Sequence, residues 1–241
     1  MSTTAVPPGV SHAPHVPTLI DIVQYLRPGQ RLAVTEVSWA DYEELLAWRD
    51  DYRRTVRLTY DHGRLEIMVL SNLHERLRKV LALLVEAWLE ETGGEYVPSG
   101  QLTHKRKDLE RGFEPDECYY VQHWKEVAGL REIDFAKDPP PDFTIEIEVS
   151  RSVLGRLPVL AAFKIPEVWR YDGEKVTILL LQPSGEYQES AASLAIPNFP
   201  FADIPRFLAL VSDPATSFAS IGRHFREWIR SRPTTNNTPT N

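Results

Sequence analysis

A single cysteine, Cys118, in a chain of 241 residues excludes an intramolecular disulfide and any zinc site built from several thiolates. Its place in a strand-like run makes it a core thiol by default. No apolar run approaches the roughly 20 residues that span a bilayer. The opening Met1-Ser2-Thr3-Thr4-Ala5-Val6-Pro7-Pro8 lacks the charged and apolar regions of a signal peptide. The expectation is a cytoplasmic protein without a membrane partner. Positive charge is also scarce: the formal net charge is −7, which argues against non-specific coating of nucleic acid, since that rests on neutralising phosphates with Lys and Arg. A local basic face can coexist with acidic bulk. His104-Lys105-Arg106-Lys107 is the one dense basic segment, and a solvated hairpin is its plain reading. There is no Walker-type glycine loop, no dinucleotide fingerprint and no nucleophile elbow, so phosphoryl transfer from nucleotides, hydride transfer and serine hydrolysis have no support.

What is present is an ordinary globular composition, 42% apolar and 25% charged, enough for one well-packed core. Residues 1–17 and 232–241 read as disordered tails rich in proline and small polar residues. Between them, residues 18–55 read as a helical lead-in, 56–190 as the core domain and 191–231 as an extension with a C-terminal helix. Ser38-Trp39-Ala40-Asp41 opens a helix with a cap and an acid in its first turn. Val56–Tyr60 and Arg64–Leu70 flank the turn signal Asp61-His62-Gly63 and predict a hairpin. Ser71 then caps a long helix in which Leu73, Leu77, Val80, Leu84 and Trp88 recur at helical spacing until Gly93-Gly94. Short strands follow at Glu95–Val97, Gln101–Lys105, Pro115–Val121 and Phe143–Val149, then a short helix at about Val153–Phe163 and strands at Glu167–Tyr171 and Val176–Leu181. Ser217–Arg230 reads as an amphipathic helix with Ile221, Phe225 and Ile229 on one side. The order predicts an α/β domain: a mixed β-sheet flanked by helices.

The chemistry concentrates in Glu114-Pro115-Asp116 and in the alternating run Thr144-Ile145-Glu146-Ile147-Glu148-Val149. Residues two apart on a strand share a face, so Thr144, Glu146 and Glu148 project together. If the two segments pair, one aspartate and two glutamates converge where a hard divalent cation can be held. The plain alternative is a half-exposed strand whose polar side meets water. A central strand buried on both faces would make two glutamates costly without a cation or a basic partner. Trp39, Trp48, Trp88 and Trp169 fall on apolar stripes or in strands and read as core rather than as base-stacking platforms.

Five blocks carry a resemblance: Gly63-Arg64-Leu65-Glu66-Ile67-Met68, His74-Glu75, Glu114-Pro115-Asp116-Glu117-Cys118-Tyr119-Tyr120, Pro141-Asp142-Phe143-Thr144-Ile145-Glu146 and Ile165-Pro166-Glu167-Val168-Trp169-Arg170-Tyr171-Asp172-Gly173. In this order they resemble the Uma-type restriction endonucleases of the PD-(D/E)XK nuclease fold, from about Leu58 to Leu181. The resemblance implies a restriction-endonuclease-like core in which Asp116 and Glu146 bind Mg2+ or Mn2+ on adjacent strands. It implies DNA as the substrate and leaves a homodimer open. The lysine that the wider fold carries two residues after the glutamate is Glu148 here. In the family that lysine has moved to the following helix, where the matching position is Arg156; a neighbouring aspartate is Gly155 and a tyrosine one turn later is Leu160. Lys164 is the nearest lysine and an alternative to Arg156. Glu66 and Glu75 are further candidate ligands, and His74, Lys105 and Arg106 candidate substrate contacts. Glu66 also fits an outward-facing strand residue, Glu75 an acid favoured by the helix dipole, and Asp142 a structural residue at the start of its strand. The sequence reading is therefore a metal-dependent endonuclease using Asp116, Glu146, Glu148 and Arg156 or Lys164. A catalytically silent binding module of the same fold is the rival, and metal-free acid/base hydrolysis by the carboxylates a third possibility.

Overall fold

The computed structural model describes residues 18–52, 55–149 and 155–232. The elements in order are α1 (Leu19–Val23), β1 (Arg31–Val34), α2 (Trp39–Asp51), β2 (Val56–Asp61), β3 (Arg64–Val69), α3 (Asn72–Thr92), β4 (Val97–Pro98), β5 (His104–Arg106), β6 (Arg111–Phe113), β7 (Glu117–Tyr120), α4 (Trp124–Val127), β8 (Phe143–Ile147), α5 (Leu157–Ala162), β9 (Glu167–Tyr171), β10 (Val176–Leu181), β11 (Tyr187–Ser190), α6 (Ile204–Ala209) and α7 (Phe218–Ser231). The architecture is mixed α/β, as the sequence predicts. Its strands divide between two sheets, ordered β1-β3-β2-β6-β5 and β11-β10-β9-β8-β7-β4. All pairings are antiparallel except β8 with β9.

The chain crosses from one sheet to the other through Glu114-Pro115-Asp116, directly after β6 and before β7. Proline has no N–H to give a ladder, so this is where strand pairing can lapse and the direction change. The lead-in is not helix alone, because Arg31–Val34 forms an edge strand on β3. The short helix begins at Leu157, with Pro158 in its first turn. The earlier part of the predicted helix includes residues 153 and 154, which lie outside the described residues.

Alternation gives each sheet two different faces. In the β2–β3 hairpin Leu58, Tyr60, Leu65 and Ile67 pack with α2 residues Tyr42, Leu45 and Leu46. Arg57 and Thr59 stand opposite Met68 and Glu66 on the other face. In the second sheet Phe143, Ile145, Ile147, Trp169 and Tyr171 pack against Leu77, Leu81, Leu84 and Val85 of α3. Thr144 and Glu146 turn the other way. Helix α3 is capped by the Ser71 side chain and ends at Gly93 with φ of 75°, a left-handed position that glycine takes without a Cβ clash. Helix α7 lies along α3 through Ile221 and Phe225. Among the described residues no helix is long and apolar enough to cross a membrane.

Asp142, just before β8, is structural. Its Oδ2 accepts from the backbone N–H groups of Val121, Gln122 and His123 at 2.6, 2.8 and 3.1 Å, and its carboxylate also meets the His123 ring. Asp142→Ala strands these donors where the chain leaves β7, and is expected to lower stability by about 2–4 kcal/mol. Urea unfolding measures this; an unchanged midpoint would contradict the assignment.

Candidate functional site

Asp116 and Glu146 meet across two strands. The β7–β8 ladder pairs Glu117 with Ile145, and the same register carried one residue further sets Asp116 opposite Glu146. The Asp116 N–H donates to Ile145 O at 3.2 Å, and Asp116 Oδ2 accepts from Ile147 N at 2.7 Å. Both carboxylates are buried, at 0% and 1% exposure. The two-glutamate alternation extends only partly into structure. Strand β8 stops at Ile147, and Glu148, whose N–H donates to Tyr171 O at 2.7 Å, is half-buried beyond the strand end.

Buried charge requires partners, and the partners come from three different elements. Arg57 of β2 sets its Nη1 against Asp116 Oδ1 and lies 3.6 Å from Glu146 Oε2. His74, in the first turn of α3, brings Nε2 to 3.3 Å from Asp116 Oδ1, while its Nδ1 is 3.6 Å from Glu75 Oε1. Arg156, at the start of α5, pairs with Glu146 and donates through Nη2 to Glu114 O at 2.5 Å. Arg57 Nη1, Asp116 Oδ1, both His74 ring nitrogens and Glu146 Oε1 are buried without a partner in hydrogen-bond geometry. Charge attraction therefore dominates the contact of Arg57 with Asp116. A second ring of pairs surrounds these: Arg49 with Glu114, Arg78 with Glu117 and Glu75, and Arg31 with Glu66.

The electrostatics separate the two acids. Burial works to raise the Asp116 pKa, but the Arg57 charge and the His74 contact outweigh it, and Asp116 is held well below the usual carboxylate range. At Glu146 burial dominates over Arg156 and Arg57, with Asp116 and Glu148 adding repulsion, and its pKa is pushed up to about 7. His74 is raised from its ordinary value: burial opposes its charge, but Asp116 and Glu75 prevail. The signs follow. Glu146 holds its proton more tightly folded than at its ordinary 4.5, so its contribution to stability is lost as pH rises from there through about 7. His74 contributes fully below 6.5 and loses that contribution as pH rises through its folded value. Asp116 contributes above 3.8 and fails only as pH falls through its depressed value. With chelator present, thermal stability is expected to fall between about pH 5 and 8, and less so in Glu146→Gln. A melting temperature that rises over that range would contradict this reading.

The remaining predicted residues distribute unevenly. Glu66 is not an outward strand residue: it is 3% exposed and paired with Arg31 at 2.8 Å, because the polar face of the hairpin turns inward. Glu75 lies beside His74 and holds Arg78 at 3.0 Å. Lys105 and Arg106 pair with Glu43 and Asp108, and neither has an ion pair with the central carboxylates. His104 is no part of a solvated basic segment. It stacks between Phe113 and Phe135, with centroids 4.6 and 3.9 Å away, and burial lowers its pKa to about 4. Lys164 is exposed in a left-handed conformation just after α5. Arg156, at 4% exposure, takes the position beside Glu146. Arg57, Arg78 and Glu114 are the partners that the motif reading missed. An arginine in the hairpin run Val56-Arg57-Leu58-Thr59-Tyr60 was the available signal, being charged where both neighbours are core.

A cleft of about 210 Å3 lined by Arg49, Arg57, Glu75, Gln101 and Glu114 lies beside this cluster, and the two buried carboxylates Asp116 and Glu146 are not part of its lining. Among the described residues no three His, Cys, Asp or Glu side chains gather as a metal-binding group. Two hard carboxylates within reach of one guanidinium nitrogen, with Asp116 Oδ1 and Glu146 Oε1 buried and lacking hydrogen bonds, nevertheless suit Mg2+. That ion binds through one or two carboxylates and completes its shell with water and phosphate oxygens.

The family model Uma2, described as "Putative restriction endonuclease", matches residues 39–203. No curated protein matches the chain.

Proposed function

The chain belongs to the Uma2 family, and from that membership we propose a cytoplasmic endonuclease that hydrolyses DNA phosphodiester bonds with a divalent cation, Mg2+ or Mn2+, held by Asp116 and Glu146. The observation that carries the reading is the placement of these two carboxylates on one face of adjacent strands, opposite one another and beside a polar cleft. When bound, such a cation lowers the pKa of a coordinated water and stabilises charge on the scissile phosphate. The protein's own groups supply the rest. His74 and the Ile147 N–H orient Asp116. Arg156, anchored on Glu114 O, fixes Glu146 and supplies a permanent positive charge beside the phosphate. Glu148, half-buried at the strand end, would position water in this reading. Glu66 and Glu75, paired with Arg31 and Arg78, are secondary candidates as ligands in this reading. A homodimer would present two such sites to the two strands of a duplex.

A second reading has its own observation. Arg57 and Arg156 already neutralise both carboxylates, which suits a silent binding module that keeps the fold. A cleavage panel on duplex, single-stranded and branched DNA with Mg2+ or Mn2+ separates the two. Cutting by the parent and loss to background in Glu146→Ala is the expected result. Equal cutting by both proteins, or none by either, sinks the nuclease assignment.

A further inference from the structure

Arg57 stands where a bridging cation would stand. Among the described residues its Nη1 is the one group that touches both carboxylates, in contact with Asp116 Oδ1 and 3.6 Å from Glu146 Oε2. Neither contact is a well-aligned hydrogen bond, since Nη1 and Oδ1 both lack partners in that geometry. A further contact of this guanidinium is weak, Nη2 to Met68 Sδ at 3.5 Å. Charge attraction to Asp116 and Glu146 is therefore the larger part of what holds Arg57 between the acids, and a group held mainly that way exchanges for another cation without breaking an extended directional network. Arg57, though only 4% exposed, also lines the cleft beside Arg49 and Gln101, which is the side from which an anion would approach it. Arg156 differs. It is tied at two points, Glu146 and Glu114 O, and has no comparable freedom to leave.

We propose that Arg57 is a built-in competitor of the divalent cation: it occupies the Asp116–Glu146 pair in the free protein and gives it up to metal when a phosphate in the cleft takes the guanidinium. The inference rests on the metal reading of this site and adds its regulation. With Arg156 already on Glu146, a divalent cation added beside Arg57 would bring excess positive charge to two carboxylates, so cation binding is weak while Arg57 stays and strengthens when phosphate draws it off. By linkage, metal and phosphate each raise the other's affinity by the same factor.

The test is Mg2+ affinity, read from the rise in melting temperature on titration, for the parent, Arg57→Met and Arg57→Lys, each with and without inorganic phosphate. Arg57→Met is expected to bind Mg2+ about ten-fold or more tightly than the parent. Phosphate should tighten binding to the parent and not to Arg57→Met. Equal affinities for parent and Arg57→Met overturn the competition while leaving the metal site standing. No Mg2+ effect on any variant overturns the metal site and this inference with it. Where Arg57→Met does not fold, Arg57→Lys decides: the retained charge keeps binding at the weak parental level and phosphate-dependent, and Mg2+ binding tighter than the parent's without phosphate is the overturning result.

Discussion

Asp116→Ala is expected to remove about 3–5 kcal/mol of stability together with all cation-dependent cleavage. Asp116 is 0% exposed, and one side chain neutralises or satisfies three groups: the Arg57 guanidinium, the His74 ring and the Ile147 N–H. Truncation leaves Arg57 with Glu146, which is 3.6 Å away and shared with Arg156, and with the charge of Glu66. It also leaves a buried backbone donor unpaired, itself worth about 1–3 kcal/mol. Asp116→Asn keeps an acceptor for Ile147 but not the charge, and is expected to fall between parent and alanine. Guanidinium unfolding at neutral pH with chelator measures the series. An alanine variant with the parental midpoint would show that Arg57 and His74 find other partners.

Arg156→Met is expected to reduce cleavage by about 10²–10³-fold, the scale of one lost donor at a developing charge, while lowering stability less than Asp116→Ala does. The asymmetry has a physical cause. The acid that loses its partner here is Glu146, which can accept a proton near neutral pH because burial already pushes its pKa to about 7. Asp116 is held ionised and far below that range. Arg156→Lys keeps the charge but cannot make the two-point hold on Glu146 and Glu114 O, so partial recovery of cleavage is expected. Single-turnover cleavage with saturating Mn2+ reads the difference. Parental rates in Arg156→Met would remove Arg156 from the reaction and leave it as a structural counter-charge.

Much of the scaffold was legible because it is local. The Ser71 cap, the helical stripe and the Gly93 stop describe α3, and Asp61-His62-Gly63 describes the β2–β3 turn. Even there one residue was misplaced. Leu73 was read as the start of the stripe but is 46% exposed, whereas His74 is fully buried. His74 is in phase with Leu77 and Leu81, so the buried stripe begins with a polar residue that Asp116 requires. Apolar periodicity does not register a buried histidine. The outward-facing reading of Glu66 failed in a similar way: alternation gave its side of the strand, but not that this side is buried with Arg31 paired to it.

By itself the sequence determined which residues share a face. Period-two alternation puts Glu146 with Thr144 and away from Ile145 and Ile147, and the proline of Glu114-Pro115-Asp116 marks the break between strands. The five blocks carried the family. Only the tertiary structure decided which charges meet. Arg57, His74 and Arg156 reach the same two carboxylates from a hairpin of one sheet, the first turn of α3 and the start of α5. Such pairings depend on how sheets and helices pack across long sequence separations, whereas spacing constrains only neighbours on one element.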